Sequence, residues 1–134
     1  MKFILLLAVC MFGFCSADYN KVQLTEIMQV TKRCYKQLDI SYDSDLVERL
    51  IYNRDLPDDA ITKKFINCFL TEFNVWESEG VINRDVVVNF LGRQYDPVKV
   101  RATVDKCLRP AGATPEDKAY NYIRCFFKNI TYKI

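Results

Sequence analysis

A chain of 134 residues without a single histidine lacks the commonest general base, metal ligand and pH switch together. Its nineteen Lys and Arg are interspersed with seventeen Asp and Glu, so the net charge of +2 offers no basic block for nucleic acid or an anionic membrane. Hydrolysis by carboxylates alone survives these exclusions, whereas helical phospholipases and Ser or Cys hydrolases that need a histidine base do not.

In chain order, Lys2, the apolar run Phe3 to Phe14 and the small residues Cys15-Ser16-Ala17 read as a secretory signal over residues 1–17, cleaved after Ala17. The run is too short to cross about 30 Å of hydrocarbon. Residues 18–134 are enough for one core. They keep Cys34, Cys68, Cys107 and Cys125, an even set that reads as two disulfides in an oxidising compartment. Four cysteines allow three pairings, and the sequence alone does not choose among them. No two of them have zinc half-site spacing, so neither a metal nor a cofactor is expected.

Leu24, Ile27, Met28, Thr31, Cys34, Tyr35 and Leu38 recur at helical spacing and predict a first amphipathic helix. Ser44 is placed to cap a short second helix through Leu46, Val47, Leu50 and Ile51. Pro57 as a first helical residue, with Asp58 and Asp59 behind it, predicts a third that carries Ile61, Phe65, Cys68, Phe69 and Phe73. A turn follows at Glu79-Gly80. Asn83 as cap and Gly92 as stop bracket a fourth helix, although Val86-Val87-Val88 is also compatible with a strand. Asp96-Pro97 opens a fifth helix with Val100, Val104, Cys107 and Leu108, and Thr114-Pro115 a sixth with an acidic first turn. The expected fold is all-α, about six short helices with no alternating strands. The tail from Lys128 is too short for another packed helix but long enough to fold back as a strap. Asn129-Ile130-Thr131 is a glycosylation sequon.

The spacing Cys34-x33-Cys68-x38-Cys107-x17-Cys125, with Lys118-Ala119-Tyr120-Asn121 ahead of the last cysteine, resembles the insect odorant-binding proteins of the pheromone-binding and general odorant-binding class. Members usually carry six cysteines, the second and third separated by three residues and the fifth and sixth by eight. Those missing cysteines fall at Lys64 and Glu116, which is the pattern of the four-cysteine "minus-C" branch. The resemblance implies the bridges Cys34–Cys68 and Cys107–Cys125. Lys64 and Glu116 carry opposite charges, and they either pair where the lost bridge would stand or remain separately solvated.

The resemblance also implies a secreted carrier, present in sensillar lymph or another extracellular fluid, that holds a small hydrophobic ligand in a cavity without catalysis. An odorant receptor at the membrane is a possible partner in that reading, with the carrier a monomer or weak homodimer. The implied wall is Ile27 and Val30 on the first helix, Leu70, Phe73 and Val75 after Cys68, Val87 and Leu91 on the fourth helix, and Ala119, Ile123 and Phe126 on the sixth. Tyr122 and Tyr132 either donate to a ligand oxygen or have structural partners. Trp76, the single tryptophan, reads equally as cavity wall or loop aromatic. The alternatives are a non-olfactory carrier or scavenger of lipids and metabolites with the same fold, and a cavity-free secreted signalling or inhibitory protein. With no histidine, ligand binding is expected to depend weakly on pH between about 7 and 5.5.

Overall fold

The computed structural model describes residues 19–78 and 80–132. The expected signal over residues 1–17 lies outside them.

Helix α1 spans Lys21–Leu38 and starts in a reciprocal cap, in which Asn20 and Gln23 each accept the other's backbone N–H at 2.8 Å. Its buried stripe runs through Gln23, Ile27, Val30, Thr31, Cys34 and Tyr35. Met28, expected on that stripe, is 38 % exposed because the inward face centres on the Ile27–Val30–Thr31–Cys34 row. Helix α2, Leu46–Tyr52, begins one residue later than Ser44 capping implies, with Asp45 as N-cap. A side chain from α1 completes its start: the Tyr35 hydroxyl accepts the Val47 N–H at 3.1 Å and donates to the Ser44 carbonyl at 3.0 Å.

Helix α3 is Ala60–Glu72, not a helix opened by Pro57. Asp59 is the effective cap, accepting the Thr62 N–H at 2.8 Å, and that bonding holds its carboxyl below the usual carboxylate range. Ile61 then points outward, 41 % exposed, while Phe65 and Ile66 are fully buried. Two very short antiparallel strands, β1 (Trp76–Ser78) and β2 (Val81–Ile82), which the sequence reading did not anticipate, stand on either side of the position expected for a turn, of which Glu79 lies outside the described residues. Gly80 takes φ +78, where a side chain would be strained.

The valine run is helical: α4 covers Arg84–Leu91, capped by Asn83, whose side chain accepts from Val86 N–H. Gly92 ends it in a right-handed rather than left-handed conformation. Glycine is needed there for space, since a Cβ would stand 2.5 Å from the Val88 carbonyl oxygen. Helix α5 is Pro97–Asp105, with Asp96 accepting from Val98 N–H at 2.9 Å; Cys107 and Leu108 fall just beyond its end. Helix α6 is Pro115–Asn129, capped by Thr114 at 3.1 Å from Asp117 N.

The architecture is all-α, six helices with the small β ribbon between α3 and α4. Helix α3 packs against α1 and α6, α4 against α5, and α5 touches α6. Disulfides join Cys34 to Cys68, hence α1 to α3, and Cys107 to Cys125, hence the end of α5 to α6. In the loop-entropy account each stabilises by roughly 3 to 4 kcal/mol. The charge contact between α3 and α6 sits one residue away from the expected pair: Lys63 meets Asp117 at 3.1 Å and Asp58 at 3.3 Å. Lys64 and Glu116 instead border a shared surface recess, with no ion pair between them among the described residues. After α6, Ile130 and Tyr132 lie back on the core, and the Tyr132 ring stands 5.5 Å from that of Tyr95. Among the described residues no helix is long and apolar enough to cross a membrane.

Candidate ligand-binding cavity

The apolar faces of α1, α2, α3, α4 and α6 do not close on one another completely. They leave a cavity of about 100 Å³ with an almost wholly hydrocarbon wall. Local sequence explains how each face arrives there. On α4, Val86, Val87, Phe90 and Leu91 share one side at helical spacing, and the Asn83 cap and Gly92 fix where that side begins and ends. A buried tie sets its height against α1: the Gln23 amide, itself fixed by the Asn20 cap, donates to the Phe90 carbonyl at 2.8 Å. At the end of α3 the chain turns through Asn74 at φ +58, with Val75 N–H bonded to Leu70 O at 2.9 Å, which swings Val75 back onto the wall. From α6, Tyr122, Ile123 and Phe126 face the space, and the neighbouring Cys125 is tied to Cys107.

Of the residues singled out from the sequence, Ile27, Leu70, Phe73, Val75, Val87 and Leu91 stand around this one cavity, as do Tyr122, Ile123 and Phe126. Val30 and Ala119 do not line it; both are buried in the solid core, about a turn along the same inward stripes from the wall residues. Tyr19, Leu50 and Ile51 complete one end of the wall, and Phe69, Val86, Phe90 and Phe127 the rest, none of them expected. Helical spacing did carry a signal for part of this set, because Phe90 lies three and four residues beyond Val87 and Val86. Nothing local marks Tyr19 or α2 as wall. The rings of Phe69 and Phe73 are 4.9 Å apart and those of Phe73 and Phe90 5.2 Å, an aromatic row along the half-buried side.

The wall carries two hydroxyls. Tyr19 donates to the Ile51 carbonyl at 3.0 Å, and burial pushes its phenol well above the ordinary tyrosine range. Burial does the same to Tyr122, which is only 3 % exposed. Both therefore stay protonated at neutral pH. Tyr132 does not line the cavity, but its hydroxyl is close enough to those of Tyr19 and Tyr122 to help raise both; it is buried near Thr103 without a hydrogen bond of good geometry. Trp76 is also elsewhere: half-buried on β1, it borders a separate surface recess with Pro115 and Lys118. The side-chain nitrogen of Asn129, where a glycan would attach, donates to the Cys125 carbonyl at 2.8 Å. No group of His, Cys, Asp and Glu among the described residues is arranged to hold a metal ion.

Comparison with known proteins agrees with this architecture. Over 130 residues, 95 % of this chain and 89 % of the relative, the sequence is 29 % identical to odorant-binding protein 10 of Aedes aegypti. It is 22 % identical to general odorant-binding protein 69a of Drosophila melanogaster over 81 % of this chain and 72 % of that one. Among solved structures it is similar to a fatty acid binding protein, OBP56a, from the oral disk of the blowfly Phormia regina. The TM-score is 0.67 at 26 % identity, covering 84 % of this chain and 95 % of that one. A model of the PBP/GOBP family matches residues 16–129, and with four helix-tying cysteines around an apolar cavity the chain belongs to that family of pheromone-binding and general odorant-binding proteins.

Proposed function

We propose that this protein is a secreted carrier of small hydrophobic molecules, odorants, pheromones or similar volatiles, which it holds in the cavity between α1, α2, α3, α4 and α6 without chemical change. The observation that carries the reading is the cavity itself: apolar side chains from five helices converge and then fail to fill the space between them. A signalling or inhibitory protein stabilised by a filled core has no use for that void, which costs packing energy. Family membership and the two odorant-binding relatives support the same cargo class. The residues proposed to touch ligand are Ile27, Leu70, Phe73, Val75, Val87, Leu91, Tyr122, Ile123 and Phe126, joined by Phe69 and Phe90. Val30 and Ala119 are not among them. Within the family we assign the chain to the four-cysteine branch, with Lys64 and Glu116 at the positions of the missing bridge.

A second reading keeps the fold and changes the cargo to a lipid or metabolite outside olfaction. The similar blowfly structure, described as a fatty acid binding protein, favours considering it. Size bears on both. About 100 Å³ is less than the roughly 150 Å³ that accepts benzene in an engineered protein cavity. Anything larger than a compact volatile therefore requires the aromatic row Phe69–Phe73–Phe90 to move.

The test is uptake of an environment-sensitive fluorescent probe by the refolded, disulfide-bonded chain, followed by competition with alcohols, aldehydes, esters and fatty acids. Micromolar uptake reversed by some of these supports the carrier. No uptake by protein with intact disulfides and a helical spectrum removes it and favours the signalling or inhibitory reading.

A further inference from the structure

The sequon Asn129-Ile130-Thr131 takes no part in the cavity, and the fold treats its three residues unequally. Asn129 is the last residue of α6 and is half-buried. Its side-chain nitrogen donates to the Cys125 carbonyl at 2.8 Å and lies 3.6 Å from the Cys125 sulfur and 4.0 Å from that of Cys107. The nitrogen thus rests on the disulfide itself. Beyond it, Ile130 leaves the helix in an extended conformation and packs on the core, and the Tyr132 ring lies 5.5 Å from that of Tyr95. Of the three, only Thr131 is exposed. The tripeptide is fastened at both ends, by a bridge before it and a ring against the core after it.

We propose that Asn129 is an N-glycosylation site gated by the Cys107–Cys125 bridge: the open chain accepts a glycan there and the closed fold refuses it. The inference rests on the secreted part of the reading above. In the transfer a bond forms between Asn129 Nδ2 and the first sugar carbon of a lipid-linked oligosaccharyl pyrophosphate. The bond from that carbon to the pyrophosphate oxygen breaks, and the Nδ2 proton passes to a base of the transferase. To react, the amide must turn from the Cys125 carbonyl toward the enzyme, and a sugar must find room where two sulfurs now stand. With the bridge closed, that requires the last turn of α6 to fray and Ile130 and Tyr132 to leave the core. With the bridge open, Cys125 is no longer held to the end of α5, and the segment unwinds as an untethered helix end does. The order of the two reactions, bridge closure and glycan transfer, then decides whether the protein carries a glycan.

The experiment is translation of the full chain into microsomes under oxidising and reducing conditions. Occupancy of Asn129 is read as the shift removed by peptide-N-glycosidase, and closure of each bridge by thiol alkylation. Occupancy is expected to be at least about fivefold higher under reducing conditions, where access needs no opening of the bridged end. Cys107→Ser with Cys125→Ser should reach that high occupancy even under oxidising conditions, whereas Cys34→Ser with Cys68→Ser, which leaves the α6 bridge closed, should stay low. As a control, Tyr42→Asn in an Asn129→Gln background moves the sequon to an exposed loop, since Ser44 already stands two residues on and Tyr42 is 68 % exposed. That sequon should be used equally in both conditions. Equal occupancy of Asn129 in the two conditions, high or low, overturns the gate and leaves the carrier reading untouched. Equal rises in the two cysteine pairs make general folding, not this bridge, the barrier and overturn it as well. A chain that does not enter the microsomes removes the secreted reading and this inference together.

Discussion

Between α1, α2 and α3 the rings of Tyr35 and Phe65 meet at 5.3 Å, both side chains are sealed from solvent, and the Tyr35 hydroxyl is bonded as donor and as acceptor. Further along the chain, the rings of Phe69, Phe73 and Phe90 pack just as closely on one another, yet they stand beside an empty space. The two regions draw on the same residue types. They differ in what lies opposite the rings: in the first, a neighbouring helix whose polar groups and side chains fit; in the second, helices held apart. Helix α4 is held off by the Gln23–Phe90 tie and its packing on α5, and α6 by the Cys107–Cys125 bridge. An aromatic-rich sequence thus makes a solid core or a vessel according to how its helices are tied.

The largest effect should separate the regions directly. Phe65→Ala is expected to destabilise by about 3 to 5 kcal/mol, the cost of an unfilled hole in a packed core. Phe73→Ala, half-buried beside existing space, should cost about 1 to 2 kcal/mol and improve binding of ligands longer than the wild type prefers. Denaturant unfolding and probe displacement on both variants check this. Equal costs, or no change in length preference for Phe73→Ala, would break the distinction between core and cavity wall.

A smaller effect concerns the end of α6 that lacks a disulfide. Lys63 holds the Asp117 carboxyl below its ordinary range. A lowered folded-state value means that the contact stabilises above the ordinary carboxylate pKa and is lost as pH falls through the lowered value, below about pH 4. Both groups are largely solvated, so Asp117→Asn should move the thermal midpoint little at pH 7 and not at all at pH 3. Among the described residues the carboxylates that shift, Asp59 and Asp117, both shift downward, so neither changes charge between pH 7 and 5.5. Ligand affinity should be flat across that window, and a steep drop in a pH titration of binding would reveal a buried carboxylate acting as a sensor.

Much of the fold is legible because many of its signals are local. Asn83, Asp96-Pro97 and Thr114-Pro115 each open a helix with side chains only a few residues from the groups they satisfy. Where the signal is tertiary, reading along the chain slips: α2 is started with help from Tyr35 on another helix, and a turn of three-plus-two-residue strands is too short to show alternation. The cavity was partly legible for a related reason. Spacing identifies which residues point inward, and both Val30 and Ala119 do; whether the inside is filled at that point depends on the partner helix. Phe69, Phe90 and Phe127 were readable as inward residues, but not as the edge of a void.

The most direct measurement of the central claim is the structure of the disulfide-bonded chain with a neutral ligand such as octanol. The ligand is expected between Phe73, Phe90 and Phe126, with the aromatic row displaced to admit it. A ligand found instead in the recess beside Trp76 and Lys118, with the cavity still empty, would contradict the account.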